Sequence, residues 1–355
     1  MKAHIIVGSG FGDEGKGITT DFLCSQYSKA IVVRFSGGQQ AGHTVIVDGV
    51  KHIFSNFGSG SFRGAPVYFT EHCTAYPVTI FREYNVLASK KTIPSLVLHP
   101  LVSITTPYDV FANRECKENC EDGTCGLGVG KTMYRNHETP YKLYAIDLLN
   151  PKILQEKLKA IKEFYHIDIC SDELQKELDA FNNVVENLNF NIADYSVLKS
   201  YKNIIFEGSQ GILLDMDHGV FPNVTYANTT SKNAHKVCDI LKIKNRTVYY
   251  ITRAYHTRHG AGVFDNQPID VTNNEEEINV FNKWQKEFKT GKLDYDLLNH
   301  ALRVDNIYCP VNTKSALVVT CIDQVKEKFN FKKLNRSFNK IYFSSSPESK
   351  NFKEQ

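Results

Sequence analysis

The stretch Ile5-Ile6-Val7-Gly8-Ser9-Gly10-Phe11-Gly12-Asp13-Glu14-Gly15-Lys16-Gly17 limits what this chain can become more than any other segment. Its apolar start reads as a buried strand, and Ile18 to Tyr27 reads as a helix. Between them, five glycines fall within ten residues. A strand, a glycine-rich loop and a helix form a phosphate-binding element. Glycines admit close approach of an anion, free N–H groups at the helix start point at it, and a lysine adds charge. The loop departs from the G-x-x-x-x-G-K-[ST] pattern, because Gly17 follows Lys16. It also carries two acids, Asp13 and Glu14, where a simple phosphate cradle carries none. An acid beside a phosphate lysine points to a metal ligand or a general base; the competing reading is a glycine-rich turn with solvated charges.

Composition narrows the partners. The 355 residues are 42% hydrophobic and 23% charged, ordinary for a globular protein with a large core. A net charge of +3 gives no case for a nucleic-acid or membrane surface. No stretch reaches the apolar length of a bilayer span, and the chain enters a strand without a secretory leader. The expected location is the cytoplasm, that of a host cell if the chain is viral. Nine cysteines, an odd count, read as reduced thiols. Cys116, Cys120 and Cys125 lack the second close pair that a zinc site needs, so they read as part of a surface loop.

Along the chain, Ala30 to Phe35 reads as a buried strand. It runs into Ser36-Gly37-Gly38-Gln39-Gln40-Ala41-Gly42-His43-Thr44-Val45, a polar loop of the kind that binds ligands at the carboxyl edge of an open α/β sheet. Lys51 to Gly64 reads as loop. Val67 to Thr70 and Ser95 to His99 read as short strands, and Gly123 to Thr132 as a third glycine-rich loop with a lysine. Residues 143–198 carry helical spacing at Pro151–Phe164 and Ser171–Leu188, and read as a peripheral insertion. Asn203 to Phe206 reads as a strand feeding the polar loop Glu207 to Gly219. There Asp215, Asp217 and His218 are metal ligands by residue type, or members of a loop closed by Asx-type hydrogen bonds. Thr247–Thr252 and Ser315–Thr320 are further strands, Asn273–Thr290 a charged helical stretch, and the residues from Glu348 a frayed tail. The alternation predicts an α/β fold: a mainly parallel central sheet, flanking helices, and a P-loop-like nucleotide site along one edge. It is expected as one domain over residues 1–345, with the helical insertion at 143–198 and a polar tail at 346–355.

Taken together, these loops resemble the adenylosuccinate synthetase family. Gly12-Asp13-Glu14-Gly15-Lys16-Gly17 resembles its nucleotide loop, and Gly37 through Thr44 its Gly-Gly-x-Asn-Ala-Gly-His-Thr segment. Phe206-Glu207-Gly208-Ser209-Gln210-Gly211 through Asp217, with Thr225 and Asn228-Thr229-Thr230, resembles its central motif. Thr257-Arg258-His259-Gly260-Ala261-Gly262 resembles its Thr-Arg-x-Gly-Ala-Gly, and Thr320-Cys321-Ile322-Asp323 its Thr-Lys-x-Asp. The five motifs stand in the family's order from residue 5 to residue 323.

The resemblance implies a ligase that works in two steps. A nucleoside triphosphate (ATP, dATP or GTP) phosphorylates the 6-oxygen of a purine monophosphate, and the amine of L-aspartate then displaces that phosphate. It implies Asp13 as general base, His43 as general acid, Lys16 and Gln210 as further catalytic groups, and Mg²⁺ held by Asp13 and the Gly42 carbonyl. An imidazole, with an ordinary pKa near 6.5, suits a proton donor at neutral pH. The implied triphosphate site comprises Gly12, Glu14, Gly15, Lys16, Gly17, Gly42, His43, Thr44 and Asp323, the last reading the donor base. The implied monophosphate site comprises Asp13, Gln40, Thr124, Cys125, Gln210, Thr225 and His259. Arg135 is the nearest match to an arginine that, in this homodimeric family, crosses to the other subunit's nucleotide phosphate. Aspartate is implied at Thr257, Arg258, Lys289, Thr290, Gly291 and Lys292.

Departures from the family are informative. Its Thr-Thr-Gly-Arg-x-Arg-Arg loop, which meets aspartate and the ribose 2′-hydroxyl, is replaced by Glu287-Phe288-Lys289-Thr290-Gly291-Lys292-Leu293-Asp294. Lysines supply charge but no bidentate fork. A site without a partner for the 2′-hydroxyl leaves nothing unpaired when offered a deoxynucleotide. Gln40 stands for asparagine, Cys125 for a phosphate-binding threonine and Cys321 for the base-reading lysine. The departures resemble the bacteriophage branch that converts dGMP towards 2-aminoadenine nucleotides, although many of its members carry serine where this chain keeps Asp13. The expectation is dGMP as preferred substrate, with IMP and GTP as the alternative. A nucleotide-switch protein is the rival of another class; it leaves His43, Gln210 and residues 257–262 without roles.

Overall fold

The computed structural model describes residues 1–116, 124–167, 171–269, 271 and 287–355. Its first strand, β1 (Lys2–Gly8), leads through the glycine loop into α1 (Lys16–Gln26). There follow β2 (Ala30–Arg34), β3 (His43–Val47), β4 (Val50–Phe54), β5 (Val67–Phe69), β6 (Thr74–Ala75), α2 (Pro77–Ser89), β7 (Leu96–Leu98), β8 (Ser103–Ile104) and α3 (Pro107–Glu115). The middle of the chain supplies α4 (Val129–Glu138), α5 (Pro151–Phe164), α6 (Asp172–Asn187), β9 (Asn191–Ile192), β10 (Asn203–Gly211) and α7 (Lys232–Ile240). The last third supplies β11 (Asn245–Arg253), β12 (Tyr255–His259), β13 (Phe288–Lys292), α8 (Tyr295–Asn306), β14 (Lys314–Thr320), β15 (Lys340–Phe343) and β16 (Lys353–Glu354).

Ten strands form one sheet in the order β16-β15-β14-β11-β1-β10-β2-β5-β7-β9, and only the β15–β16 pairing is antiparallel. This is the expected α/β sheet. Its strands are apolar runs because both faces are covered. Ile5, Val7, Ile31, Val33, Ile204 and Phe206 pack on one face with Ala234, Val237, Leu298 and Ala301 of α7 and α8. Ile6, Val32, Ile205, Tyr249 and Val318 pack on the other with Leu23 and Cys24 of α1. β1 lies near the middle, between β10 and β11, so its glycine loop opens from the centre of the sheet's carboxyl edge.

Four expectations are corrected. Residues 43–45 and 51–54, expected as loop, belong to a hairpin, β3 paired antiparallel with β4. Its turn is Asp48-Gly49, both at positive φ (49° and 79°), the backbone that a two-residue hairpin turn demands. The 143–198 segment is not peripheral: Leu154, Leu158, Ile161, Leu174 and Phe181 share a core with Phe57, Phe69 and Tyr76, and β9 extends the sheet. The helical stretch expected at 273–290 falls largely outside the described residues, and its end, from Phe288, is strand β13. The final residues are docked: β16 pairs with β15, Phe352 stacks on Phe22 at 4.7 Å, and Ser349 Oγ donates to Asp21. No described helix is long and apolar enough to cross a membrane.

Candidate active site

The glycine loop is held from beneath by Glu14. Its buried carboxylate accepts from the N–H groups of Gly10 (2.9 Å) and Gly12 (2.8 Å) and from Lys16 Nζ (2.6 Å). Several glycines exist for this acid. A Cβ on Gly8 would lie 2.2 Å from Glu14 Oε2, and one on Gly211 would lie 2.4 Å from Oε1 and 2.0 Å from the Gly10 carbonyl. Burial alone raises the Glu14 carboxyl, but the Lys16 charge and the bonds from Lys16 and Gly12 more than offset it and hold it below the usual glutamate range. Glu14 therefore braces the loop from inside; it is not among the residues lining the cleft above.

Asp13 turns the other way. Its φ of 61° is left-handed, its side chain is 26% exposed, and it faces His259 Nε2 at 3.6 Å. The loop is stitched to neighbouring strand ends: Arg253 Nε donates to Asp13 O (2.5 Å), Thr257 Oγ1 to Gly12 O (3.2 Å) and Thr320 Oγ1 to Glu14 O (2.7 Å).

A cleft of about 1210 Å³ opens above the loop. Gly12, Asp13, Gly15, Lys16, Gly17, Gln40, Gly42, His43, Thr44, Thr124, Cys125, Gln210, Thr225, Arg258, His259 and Asp323 all line it, so the sequence motifs converge. Gln210 and its neighbours, expected in a loop, are the last residues of β10, which runs on to Gly211. Both amide atoms of Gln40, and Oε1 of Gln210, are buried without a hydrogen-bond partner. Burial pushes the Cys125 thiol up.

His43 opens β3, and Gly17 makes room for it, since a Cβ there would lie 2.8 Å from the His43 Cβ. Its Nδ1 meets Glu207 Oε1 at 2.8 Å and its Nε2 meets the Ser209 carbonyl at 3.2 Å. Glu207 Oε1 and the Ser209 carbonyl thus hold the imidazole by both of its nitrogens. Glu207 is fully buried. Burial raises its carboxyl, but the His43 charge and hydrogen bond, Arg34 and Ser59 bring it down to about 2. The sequence reading missed Glu207; a carboxylate in an otherwise apolar, doubly covered strand was the available signal.

Several expected residues lie off the cleft wall. Arg135 is fully buried, bonding Asp109 through Nε (2.8 Å) and NH2 (3.0 Å), and donating to the carbonyls of Ile104 and Tyr141. It is a structural cation and does not reach towards another subunit. Thr257 is buried against Gly12. Lys289, Thr290, Gly291 and Lys292 form β13, paired with Arg258, Thr257, His256 and Tyr255. Lys292 Nζ lies 2.7 Å from Glu327. Conversely, Arg253, Tyr255, Lys131, Tyr134, Ser344 and Ser346 line the cleft and were not singled out.

Two further clusters resolve. Asp215, Asp217 and His218 lie together, with ligand atoms within 4.8 Å. Asp215 accepts from the N–H groups of Thr229 (2.6 Å), Thr230 (3.2 Å) and Asp217 (2.9 Å), while Asp217 takes Asn228 (2.7 Å) and Lys232 (3.1 Å). The internally bonded loop accounts for them. Of the clustered cysteines, Cys120 and the neighbouring Gly123 fall outside the described residues. Val129–Thr132, expected as loop, is the first turn of α4.

Comparison with known proteins closes the description. The adenylosuccinate synthetase family model matches residues 5–349. The chain is 31% identical over 347 residues to an adenylosuccinate synthetase of Paraburkholderia phymatum, covering 90% of this chain and 75% of that one. It is 35% identical over 289 residues to that of Coxiella burnetii, covering 76% and 65%. In fold it is similar to the fully ligated adenylosuccinate synthetase of Plasmodium falciparum, with TM-score 0.70, 21% identity and coverage of 100% and 87%. It is also similar in fold to the cyanophage S-2L succinoaminodeoxyadenylate synthetase bound to dGMP and dATP, with TM-score 0.70, 12% identity and coverage of 99% and 95%.

Proposed function

Because the chain belongs to the adenylosuccinate synthetase family, and is thus a carbon–nitrogen ligase joining aspartate to a purine nucleotide, we propose that it acts through a 6-phosphoryl purine intermediate and prefers dGMP. The product is the N6-succino form of 2-amino-deoxyadenylate. The observation that carries the ligase chemistry is the convergence of Asp13, Lys16, His43 and Gln210 on one cleft.

Each residue has work matched to its surroundings. Asp13, the acid of the loop with its carboxylate turned outward, removes the N1 proton of the purine. The Gln210 carboxamide presents a donor and an acceptor side by side, matching the O6/N1 edge. His43, held between Glu207 and the Ser209 carbonyl, supplies a proton to the 6-oxygen or the transferring phosphoryl group. Lys16 and the loop N–H groups stabilise the charge on that group. Of the residues expected at aspartate, Arg258 lines the cleft and serves it. The donor set also fits Mg²⁺, which takes hard oxygen ligands. Asp13 has carboxylate oxygens to offer and Gly42 a carbonyl on the same cleft, whereas the Glu14 oxygens are consumed by the loop. When bound, Mg²⁺ neutralises charge on the triphosphate.

The preference for dGMP rests on the missing arginines. The segment in their place, Lys289 to Lys292, offers no guanidinium fork for a 2′-hydroxyl, so discrimination against deoxyribose relaxes. Retention of Asp13, and relatives that are adenylosuccinate synthetases, favour a second reading in which IMP is the substrate and GTP the donor. Initial rates with dGMP, GMP and IMP at equal concentration, each with ATP and GTP, separate the two; a strong preference for IMP defeats the dGMP reading. Phosphate release that ignores aspartate defeats the ligase mechanism altogether. The same reading makes the enzyme a cytoplasmic homodimer, and sedimentation at micromolar concentration tests the assembly.

A further inference from the structure

Six basic side chains line the cleft: Lys16, His43, Lys131, Arg253, Arg258 and His259. Five are already engaged. Lys16 is paired with Glu14, His43 with Glu207, and His259 stands beside Asp13. Arg253 donates to the Asp13 carbonyl and the Tyr255 hydroxyl. Arg258 donates to the carbonyls of Ala261, Val263 and Asn223. Among the described residues, Lys131 is the cleft cation whose ammonium has no ion pair or hydrogen bond; only its carbonyl is taken, by the Tyr165 hydroxyl at 3.4 Å.

Its position gives that charge a purpose. Lys131 lies in the first turn of α4, which starts from Gly128 at φ 75° without a side-chain cap, so the turn's N–H groups lack intrahelical partners. Lys131 and Tyr134 fall on one face of α4, and both line the cleft together with Leu127, which precedes the cap. Gln39 Nε2 donates to the Leu127 carbonyl (3.0 Å) and to Thr105 Oγ1 (3.2 Å), which Thr132 Oγ1 also reaches (2.9 Å). Those bonds fix the Gln39–Gln40 loop against the start of α4 and leave the Gln40 carboxamide buried with both polar atoms unpartnered. Tyr226 OH donates to Glu138 at the far end of α4 (3.3 Å), and its neighbour Thr225 lines the same cleft. An ammonium, an unpartnered amide, a threonine and free helix N–H groups make a complement for a dianionic phosphate monoester. Arg135, one turn further along α4, is locked onto Asp109 and cannot serve.

We propose that Lys131 is the cation that receives the 5′-phosphate of the purine monophosphate, so that each chain completes this subsite with its own lysine. The proposal rests on the ligase reading above and adds the residue that reads the phosphate.

The test compares Lys131→Met and Lys131→Arg with the parent enzyme, using dGMP, or IMP where it turns over faster. Loss of one charge-assisted contact raises KM for the monophosphate roughly 10- to 100-fold, while KM for the triphosphate and for aspartate stays within about threefold. Lys131→Arg recovers most of the loss. Competitive inhibition by the matching nucleoside, which lacks the phosphate, stays unchanged in Lys131→Met; a collapsed fold would weaken both. A monophosphate KM within twofold of the parent, or equal losses for nucleotide and nucleoside, overturns the proposal. A parent enzyme inert towards dGMP, GMP and IMP alike overturns the ligase reading itself and this assignment with it.

Discussion

Glu14→Gln isolates one interaction with little collateral change. Both loop N–H groups bond Glu14 Oε1, whereas Lys16 bonds Oε2. Glutamine can keep its oxygen on Gly10 and Gly12, but it then turns an NH₂ donor towards the Lys16 ammonium, so the ion pair and its hydrogen bond are lost together. A buried lysine stripped of its partner costs about 3–5 kcal/mol. The double variant Glu14→Gln/Lys16→Met strands no charge and should be less destabilised than Glu14→Gln alone. Urea unfolding at pH 7, followed by circular dichroism, reads both. At that pH the pair is at full strength: a carboxyl held below its ordinary value contributes stability above the ordinary glutamate range, lost only as pH falls through the lower folded value. A Glu14→Gln midpoint corresponding to less than about 1 kcal/mol, or a double variant at the sum of the singles, would refute the bracing role.

Two other outcomes follow from the same geometry. Arg135→Met should lower unfolding stability by roughly 3–5 kcal/mol while kcat stays near the parent's, since Arg135 touches Asp109 and backbone carbonyls and does not line the cleft; a large rise in monophosphate KM with intact stability would restore it to the substrate site. His4, His235 and His256 are held neutral, each lowered to about 4, burial being the leading cause. Unfolded histidines protonate near 6.5, so near pH 5 unfolding takes up about three protons and stability falls with acid at roughly 4 kcal/mol per pH unit. Urea midpoints at pH 7.5, 6 and 5 check this, and a flat profile contradicts it.

The sheet was legible because its strands, covered on both faces, leave unbroken β-branched runs such as Ile31-Val32-Val33. The motif loops were legible because glycines cluster where backbone must come close to something. What that something is was harder to read. Gly8 and Gly211 give way to Glu14, an internal acid, and sequence alone cannot tell an anion inside the loop from one outside it. The His43–Glu207 pair spans 164 positions and exists only because β10 lies beside β2. Arg135 was misread because an arginine has the same letter whether it meets a phosphate or a buried aspartate. The β3–β4 hairpin was a missed signal: Asp48-Gly49 between apolar runs announces it.

The central place of β1 also governs how the molecule is made. β1 pairs on one side with residues 203–211 and on the other with 245–253, both far downstream of it. As the chain leaves the ribosome, β1 and its glycine loop therefore wait through some two hundred residues for their first neighbour in the sheet. Pairing at such separations is slow and exposes apolar segments meanwhile. The glycine loop, encoded well ahead of both strands that flank β1, is thus among the later parts to take shape.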